Sequence, residues 1–408
     1  MPPEPSAALL PSPPDPPSDR SPDRIAGGAR RRPGTRRLRI ADVTLFYGER
    51  SGGIRTYLEA KADFARRTGA FEHHLVIPGR SAESEPGTAA GHDRALTPGP
   101  THRHEQRSLR VAASNGYRVP LGGGGLQATL RALAPDVVLL HDPYWTPRLT
   151  SRAAHEVGAT VIAVHHSSAA LHAAGLPGPQ HVYTKALRRW YRRAYCEVDA
   201  VMSVVDPGVD VRRPSTLRLR LGLDPAFGPR ADVARGEHVL YVGRLSREKG
   251  LRELLEAAAA ARRPWPLVLL GTGPAGDTLR ERARQLGLAG RITFAPYLND
   301  RDALAQAYAA ARCVVLPGAH ETFGLAALEA AACGAPVVTA HTTPSAELLD
   351  GFVDTFSGGD ATDLLLAIER SRAREPGLDA ARALTDTHGW DAAIAAELDD
   401  MTRLVSRR

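Results

Sequence analysis

Pro317-Gly318-Ala319-His320-Glu321-Thr322-Phe323-Gly324-Leu325-Ala326-Ala327-Leu328-Glu329 follows the apolar run Cys313-Val314-Val315-Leu316. The run is short enough for one buried strand, and Pro317 and Gly318 stop it. From Thr322 onward, Leu325, Leu328 and Ala332 recur at helical spacing until Gly334-Ala335-Pro336 ends the helix. Strand, loop and helix place the loop at the carboxyl edge of a sheet, where open α/β sheets bind ligands. The helix start offers unpaired N–H groups at about Thr322 to Leu325 and a dipole that favours an anion. Gly324 lets a ligand come close to the backbone. Glu321 and Glu329 are eight residues apart, ~12 Å along a helix at ~1.5 Å per residue and roughly on one side. That is the span from a hexose to the ribose of a nucleotide sugar. A carboxylate at either end can accept two sugar hydroxyls. The plain alternative is a dipole-stabilising first-turn Glu and a solvated mid-helix one.

The Glu321-x7-Glu329 segment resembles the signature of glycosyltransferase family 4, retaining enzymes of the GT-B fold. The resemblance covers roughly residues 40 to 400 and is tighter in the second half. It implies an α/β protein with two facing Rossmann-like domains and an active site in the cleft between them. The donor would lie mostly on the second domain and the acceptor on the first. The boundaries read as a Pro/Arg-rich tail over 1–37, an acceptor-side domain over 38–222, a nucleotide-sugar domain over 223–386, and a last helix over 387–408 that crosses back to the first domain.

Bulk properties agree with such a molecule. At 408 residues two domains are expected. No apolar run approaches the ~18 residues of a membrane span, and the Pro-rich start lacks the apolar core of a signal peptide. Cys196, Cys313 and Cys333 have no metal-ligand spacing, so a reducing cytoplasm fits them. The formal charge is +7, but no nucleic-acid module accompanies it, and no nucleic-acid partner is expected. Residues 1–37 hold ten prolines and should be disordered.

In chain order, Leu38 to Phe46 reads as the first strand. A loop with Gly52-Gly53 follows, then a helix from about Arg55 to Arg67. A strand, a Gly pair and a helix start form a phosphate-approach loop, and in the family this pair faces the donor diphosphate. Residues 74–78 form the second strand, and 79–110 read as a polar, turn-rich excursion. Asp136 to Pro143 and Thr160 to Ser168 are strands that end in polar residues. The family's Ala-x-x-His-[Ser/Thr]-Ser pattern selects His166 as the residue beside the reacting sugar, with His165 one place early. Lys185 to Val198 is a basic helix with Leu187, Trp190, Tyr191, Ala194 and Tyr195 on one face. That face packs inward, or the helix makes weak peripheral contact with a membrane.

Leu217 to Pro229 is similar to the family's interdomain link. After the strand 238–243 come Gly243-Arg244-Leu245-Ser246-Arg247-Glu248-Lys249-Gly250. In the family, Arg244 and Lys249 hold the donor diphosphate, where fixed cations stabilise charge on the leaving group. Lys249 is one of three lysines in an arginine-rich chain, which suggests a site that wants a compact ammonium. Glu321 and the amides of Phe323, Gly324 and Leu325 would hold the sugar, and Glu329 the ribose. The expected reaction moves a hexose from a UDP- or GDP-sugar to an acceptor hydroxyl (lipid, polysaccharide or small metabolite) with retention, and without a metal or another cofactor. Asp300-Arg301-Asp302 looks like a metal motif but stands where a helix N-cap belongs. Gly271 to Gly276 matches Gly-x-Gly-x-x-Gly, so an NAD-dependent oxidoreductase is one rival. A non-catalytic sugar-nucleotide-binding subunit is the other.

Overall fold

The computed structural model describes residues 37–47, 53–79, 84–85, 101–110, 118–166, 168–176, 178–204, 215–321, 323–349, 351–375 and 377–407. The expected architecture is what these residues form: an α/β protein with two Rossmann-like lobes.

The first lobe carries strands β1 (Arg39–Val43), β2 (Glu72–Gly79), β3 (Ser84–Glu85), β4 (Thr101–Arg110), β5 (Arg118–Pro120), β6 (Val137–Leu140), β7 (Thr160–His165), β8 (Ala200–Ser203) and β9 (Ser215–Arg218). Their order is β3-β4-β2-β1-β6-β7-β8-β9, with β5 on β4. All pairs are parallel except β3 and β5 against β4. The second lobe carries β10 (Val239–Val242), β11 (Leu267–Leu270), β12 (Ile292–Ala295), β13 (Cys313–Leu316), β14 (Val337–Ala340) and β15 (Val353–Phe356). It is wholly parallel in the order β12-β11-β10-β13-β14-β15. Short apolar strands such as Val-Val-Leu-Leu at β6 and Cys-Val-Val-Leu at β13 are buried on both faces, as helix-covered parallel strands must be. The strand order reverses between β1 and β6, and again between β10 and β13. Doubly wound sheets bind ligands in the crevice outside such switch points.

β4 corrects the sequence reading of 79–110 as an excursion. Residues 101–110 are a ten-residue strand parallel to β2. Its inward positions are His104, Gln106 and Ser108, buried yet polar, so the alternation that marks a half-buried strand was missing.

The last helix, Trp390–Val405, lies against the first lobe. Trp390, Ile394 and Met401 join the core of Tyr57, Leu58 and Leu219, each worth about 1.5–3 kcal/mol of burial. The two chain segments between the lobes run side by side here. Leu223 N–H donates to His388 O at 2.6 Å, and Leu223 bridges Gly389. A Cβ on Gly222 would fall 2.5 Å from Trp390 Cα. Among the described residues no helix is long and apolar enough to cross a membrane.

Candidate active site

In the second lobe two loops meet at the switch point. One leaves β10 through Gly243 and a single helical turn, Arg247–Lys249, into the helix Leu251–Ala260. The other leaves β13 through Pro317 and reaches the helix Leu325–Ala332. A Cβ on Gly250 would lie 2.2 Å from Pro317 O, and one on Gly318 3.6 Å from Lys249 Cα and 3.2 Å from Glu321 Oε1. At this junction Lys249 Nζ donates to both oxygens of Glu321, at 2.9 and 2.8 Å. The side chains are 22% and 10% exposed. Beside them Arg244 pairs with Glu248, which also accepts from Ser246 Oγ at 2.6 Å. Burial works against the Glu248 carboxylate, but Ser246 and Arg244 hold it below the ordinary range.

Each named cation is thus paired with a carboxylate. Opposite charges on adjoining, half-shielded loops neutralise each other, because leaving either alone costs desolvation.

The helix starts at Leu325, three residues later than the spacing suggested, because Gly324 caps it with a left-handed φ of +83°. Any side chain would be strained there, and a Cβ would fall 2.7 Å from Ser345 Oγ. Ser345 N–H donates to Phe323 O at 3.2 Å, so the start of the short helix Ser345–Leu348 packs on this helix start. Phe323 itself is buried. Deeper in the helix, Glu329 accepts from Tyr308 OH at 2.9 Å. Glu329 retains some accessible surface, yet protein surrounds its carboxyl closely. That burial pushes it up to about 7, against Tyr308 and the charge of Arg301.

In the first lobe His166 follows β7 and is buried. It does not stand alone. His166 Nε2 and His141 Nδ1 are 2.7 Å apart, and His141 Nε2 lies 2.6 Å from Asp42 Oδ1. Asp42 also takes Lys61 Nζ at 2.9 Å and His73 Nε2 at 2.8 Å. Burial opposes its charge, but Lys61, His141 and His73 hold the carboxyl well below its usual range. Burial, then the neighbours His141 and His165, lower His166 well below its ordinary value. His165 faces the other way, against Tyr191 and Tyr195. Sequence reasoning missed Asp42, Lys61, His73 and His141. Two signals were present: a carboxylate inside the apolar strand 38–46, and a lysine on the buried stripe Tyr57, Leu58, Lys61, Phe64.

The lobes touch beside both site halves. A Cβ on Gly53, the first residue of the helix Gly53–Thr68, would meet Leu325 Cδ1 at 2.8 Å. The short helix Ala169–Ala174 adjoins the Arg247–Lys249 turn. Gly52 lies outside the described residues.

Two motifs have structural explanations. The Gly271–Gly276 loop lies backbone to backbone on the 243–245 loop: Leu245 N–H donates to Thr272 O and Ala275 N–H to Leu245 O. A Cβ on Gly273 would be 2.2 Å from Leu245 O. Its glycines serve this contact between loops. Asp300 caps the helix Arg301–Ala310 by accepting from Asp302 N–H, and Asp302 pairs with Arg230.

The family model for glycosyl transferases group 1 matches residues 232–369. The chain is 30% identical over 329 residues to the GDP-mannose-dependent alpha-(1-6)-phosphatidylinositol dimannoside mannosyltransferase of Mycobacterium tuberculosis, covering 76% of this chain and 82% of that one. Its fold is similar to that of sucrose-phosphate synthase from Thermosynechococcus elongatus, with TM-score 0.69, 19% identity and coverage of 91% and 100%. It is also similar to Anabaena HepE in complex with UDP, with TM-score 0.64, 16% identity and coverage of 90% and 100%. These solved structures share the two-lobed GT-B architecture.

Proposed function

Because this chain belongs to the glycosyl transferases of group 1 and is a hexosyltransferase, we propose that it grips a nucleoside diphosphate sugar where Lys249 meets Glu321. The observation that carries this reading is their two-point ion pair, held by two glycine-tightened loops at the β10/β13 switch point. Lys249, with Arg244 beside it, stabilises charge on the departing diphosphate. Glu321 and the amides of Phe323, Gly324 and Leu325 hold the hexose, and Gly243 admits the phosphates close to the backbone. Glu329 accepts the ribose hydroxyls. Gly53 faces the diphosphate from the first lobe, where His166 lies beside the reacting carbon. Attack comes from the face the diphosphate leaves, and the diphosphate takes the acceptor's proton, so configuration is retained without a metal or a covalent intermediate.

The acceptor side includes the helix Gln180–Ala194. Tyr191 and Ala194 pack inward, but Trp190 is 48% exposed, contrary to the inward face read from the sequence. Lys185, Arg188, Arg189, Arg192 and Arg193 are exposed beside it, and none pairs with a carboxylate among the described residues. Weak contact with an anionic membrane is our reading of this face.

The test is hydrolysis and transfer with GDP-mannose first, then UDP-, ADP- and dTDP-sugars, each against Lys249→Ala. Turnover of one donor that Lys249→Ala abolishes supports the reading. Turnover indifferent to Lys249, or thermal stabilisation by NAD but by no nucleoside diphosphate, refutes it. Co-sedimentation with anionic and neutral vesicles decides the membrane contact.

A further inference from the structure

We propose that Asp42 and His141 are positioning residues for His166. They fix its imidazole in the tautomer that carries the proton on Nε2, so that Nδ1 meets the substrate as a hydrogen-bond acceptor. The substrate clause rests on the placement of His166 beside the donor sugar; the placement of the protons does not.

The placement of the protons starts at Asp42. Its carboxylate is fully buried and balanced by Lys61, whose ammonium lies 2.9 Å away and is equally buried. A carboxylate only accepts hydrogen bonds, so His141 Nε2, 2.6 Å from Oδ1, must carry a hydrogen. Lys61 already cancels the charge on Asp42, so the single proton on Nε2 completes the pairing of His141 with that carboxylate. Its Nδ1 is then bare and can only accept. Across the 2.7 Å contact the donor is therefore His166 Nε2–H. The two rings are within 16° of coplanar with centroids 5.0 Å apart. That is the spacing of imidazoles joined edge to edge by an N–H···N bond, not of stacked faces. His166 is held neutral by its surroundings, so Nδ1, on the far side of the ring from His141, keeps a lone pair. A hydroxyl that reaches it must donate.

The surroundings close the remaining choices. His73 Nε2 occupies the other oxygen of Asp42. Tyr57 lies against both His141 and His166, and its hydroxyl donates to Glu397 at 2.7 Å instead of to either ring. Asp42, His73, His141 and His166 come from β1, β2, β6 and β7, which stand side by side in the sheet. The chain of bonds thus runs from His73 in β2 and Asp42 in β1 to the carboxyl ends of β6 and β7, where the site lies.

The experiment is a long-range proton–nitrogen NMR spectrum of the whole protein labelled at histidine imidazole nitrogens. The His166 signals are assigned by their loss in His166→Asn. In the wild type His166 should show a protonated Nε2 and a bare Nδ1 around neutral pH. In His141→Leu this preference should be lost, and transfer should fall about tenfold to hundredfold while nucleoside diphosphate affinity holds. His141→Gln, which can donate to Asp42 and accept from His166 through one amide, should recover most of the rate. A wild-type His166 protonated on Nδ1 overturns the proposal even if every variant misfolds. So does an unchanged tautomer in His141→Leu. If the tautomer is as stated but His166→Asn transfers sugar at the wild-type rate, the placement of His166 beside the sugar falls, and the substrate clause with it.

Discussion

Gly53 sits directly against Leu325, although the two residues open helices of opposite lobes. A Cβ on Gly53 would stand 2.8 Å from Leu325 Cδ1. The two helix starts can approach this closely only because one of them has no side chain. Gly53→Ala asks only the flexible tip of Leu325 to turn aside, and should be nearly silent. Gly53→Leu overfills the gap and should lower kcat/KM about tenfold to hundredfold. Gly53 is exposed, so the melting temperature should barely move. Steady-state kinetics beside a thermal melt would show this; a large loss of stability with intact kinetics would speak against it.

Lys249 and Glu321 satisfy each other, so on the proposed reading the donor diphosphate competes with Glu321 for the ammonium. Lys249→Ala should lower kcat by about a hundredfold to a thousandfold. Glu321→Ala should also be severe. The double variant should lose much less than the product of the two, because each single variant leaves a half-buried charge unpaired. Full additivity in a double-mutant cycle would mean that the two charges act separately.

Burial pushes the Glu329 carboxyl up to about 7, and on the proposed reading its ionised form accepts ribose hydroxyls best. Donor affinity should therefore rise by about tenfold between about pH 6 and pH 8. Glu329→Gln should flatten the slope. Binding titrations across that range give the answer, and a slope that survives the substitution assigns it elsewhere.

Stability has its own pH signature. Burial pushes Glu397 up to about 7, against the Arg220 amide and the Tyr57 hydroxyl that hold its carboxylate. A folded value above the unfolded one contributes stability that is fully present below about pH 4.5. That stability is lost as pH rises through about 7, on the order of 3 kcal/mol at most. Glu397→Gln should melt with less dependence on pH over this window. Denaturant midpoints at several pH values would show whether the wild-type curve is steeper.

Chelation should leave the rate unchanged. Asp300 and Asp302 are already committed to a helix cap and to Arg230. An assay in excess EDTA checks this, and lost activity restored by a divalent cation would contradict it.

The second lobe was legible because its motifs are local. Gly243 to Gly250 and Pro317 to Glu329 each sit within one strand–loop–helix unit, and adjacent parallel strands bring the two loops together. Pairing was the part that could not be read: no spacing rule says that Lys249 reaches Glu321 or that Arg244 folds onto Glu248. The first lobe hid more. β4 buries polar side chains, so it has no apolar alternation. The bonds from Lys61 through Asp42 and His141 to His166 cross three strands, and only their lateral order reveals them.

Leu223 and Gly389 lie side by side where the chain leaves one half of the molecule and returns to it. Two tethers joined at a single crossing behave like the spine of a book. Any change in the angle between the halves would have to bend both segments at that line. Because Gly222 lies flush with the Trp390 backbone, the thickness of that spine is set by one missing side chain. The angle at which the covers rest is then set in part by Trp390, which packs on Tyr57 beside His166.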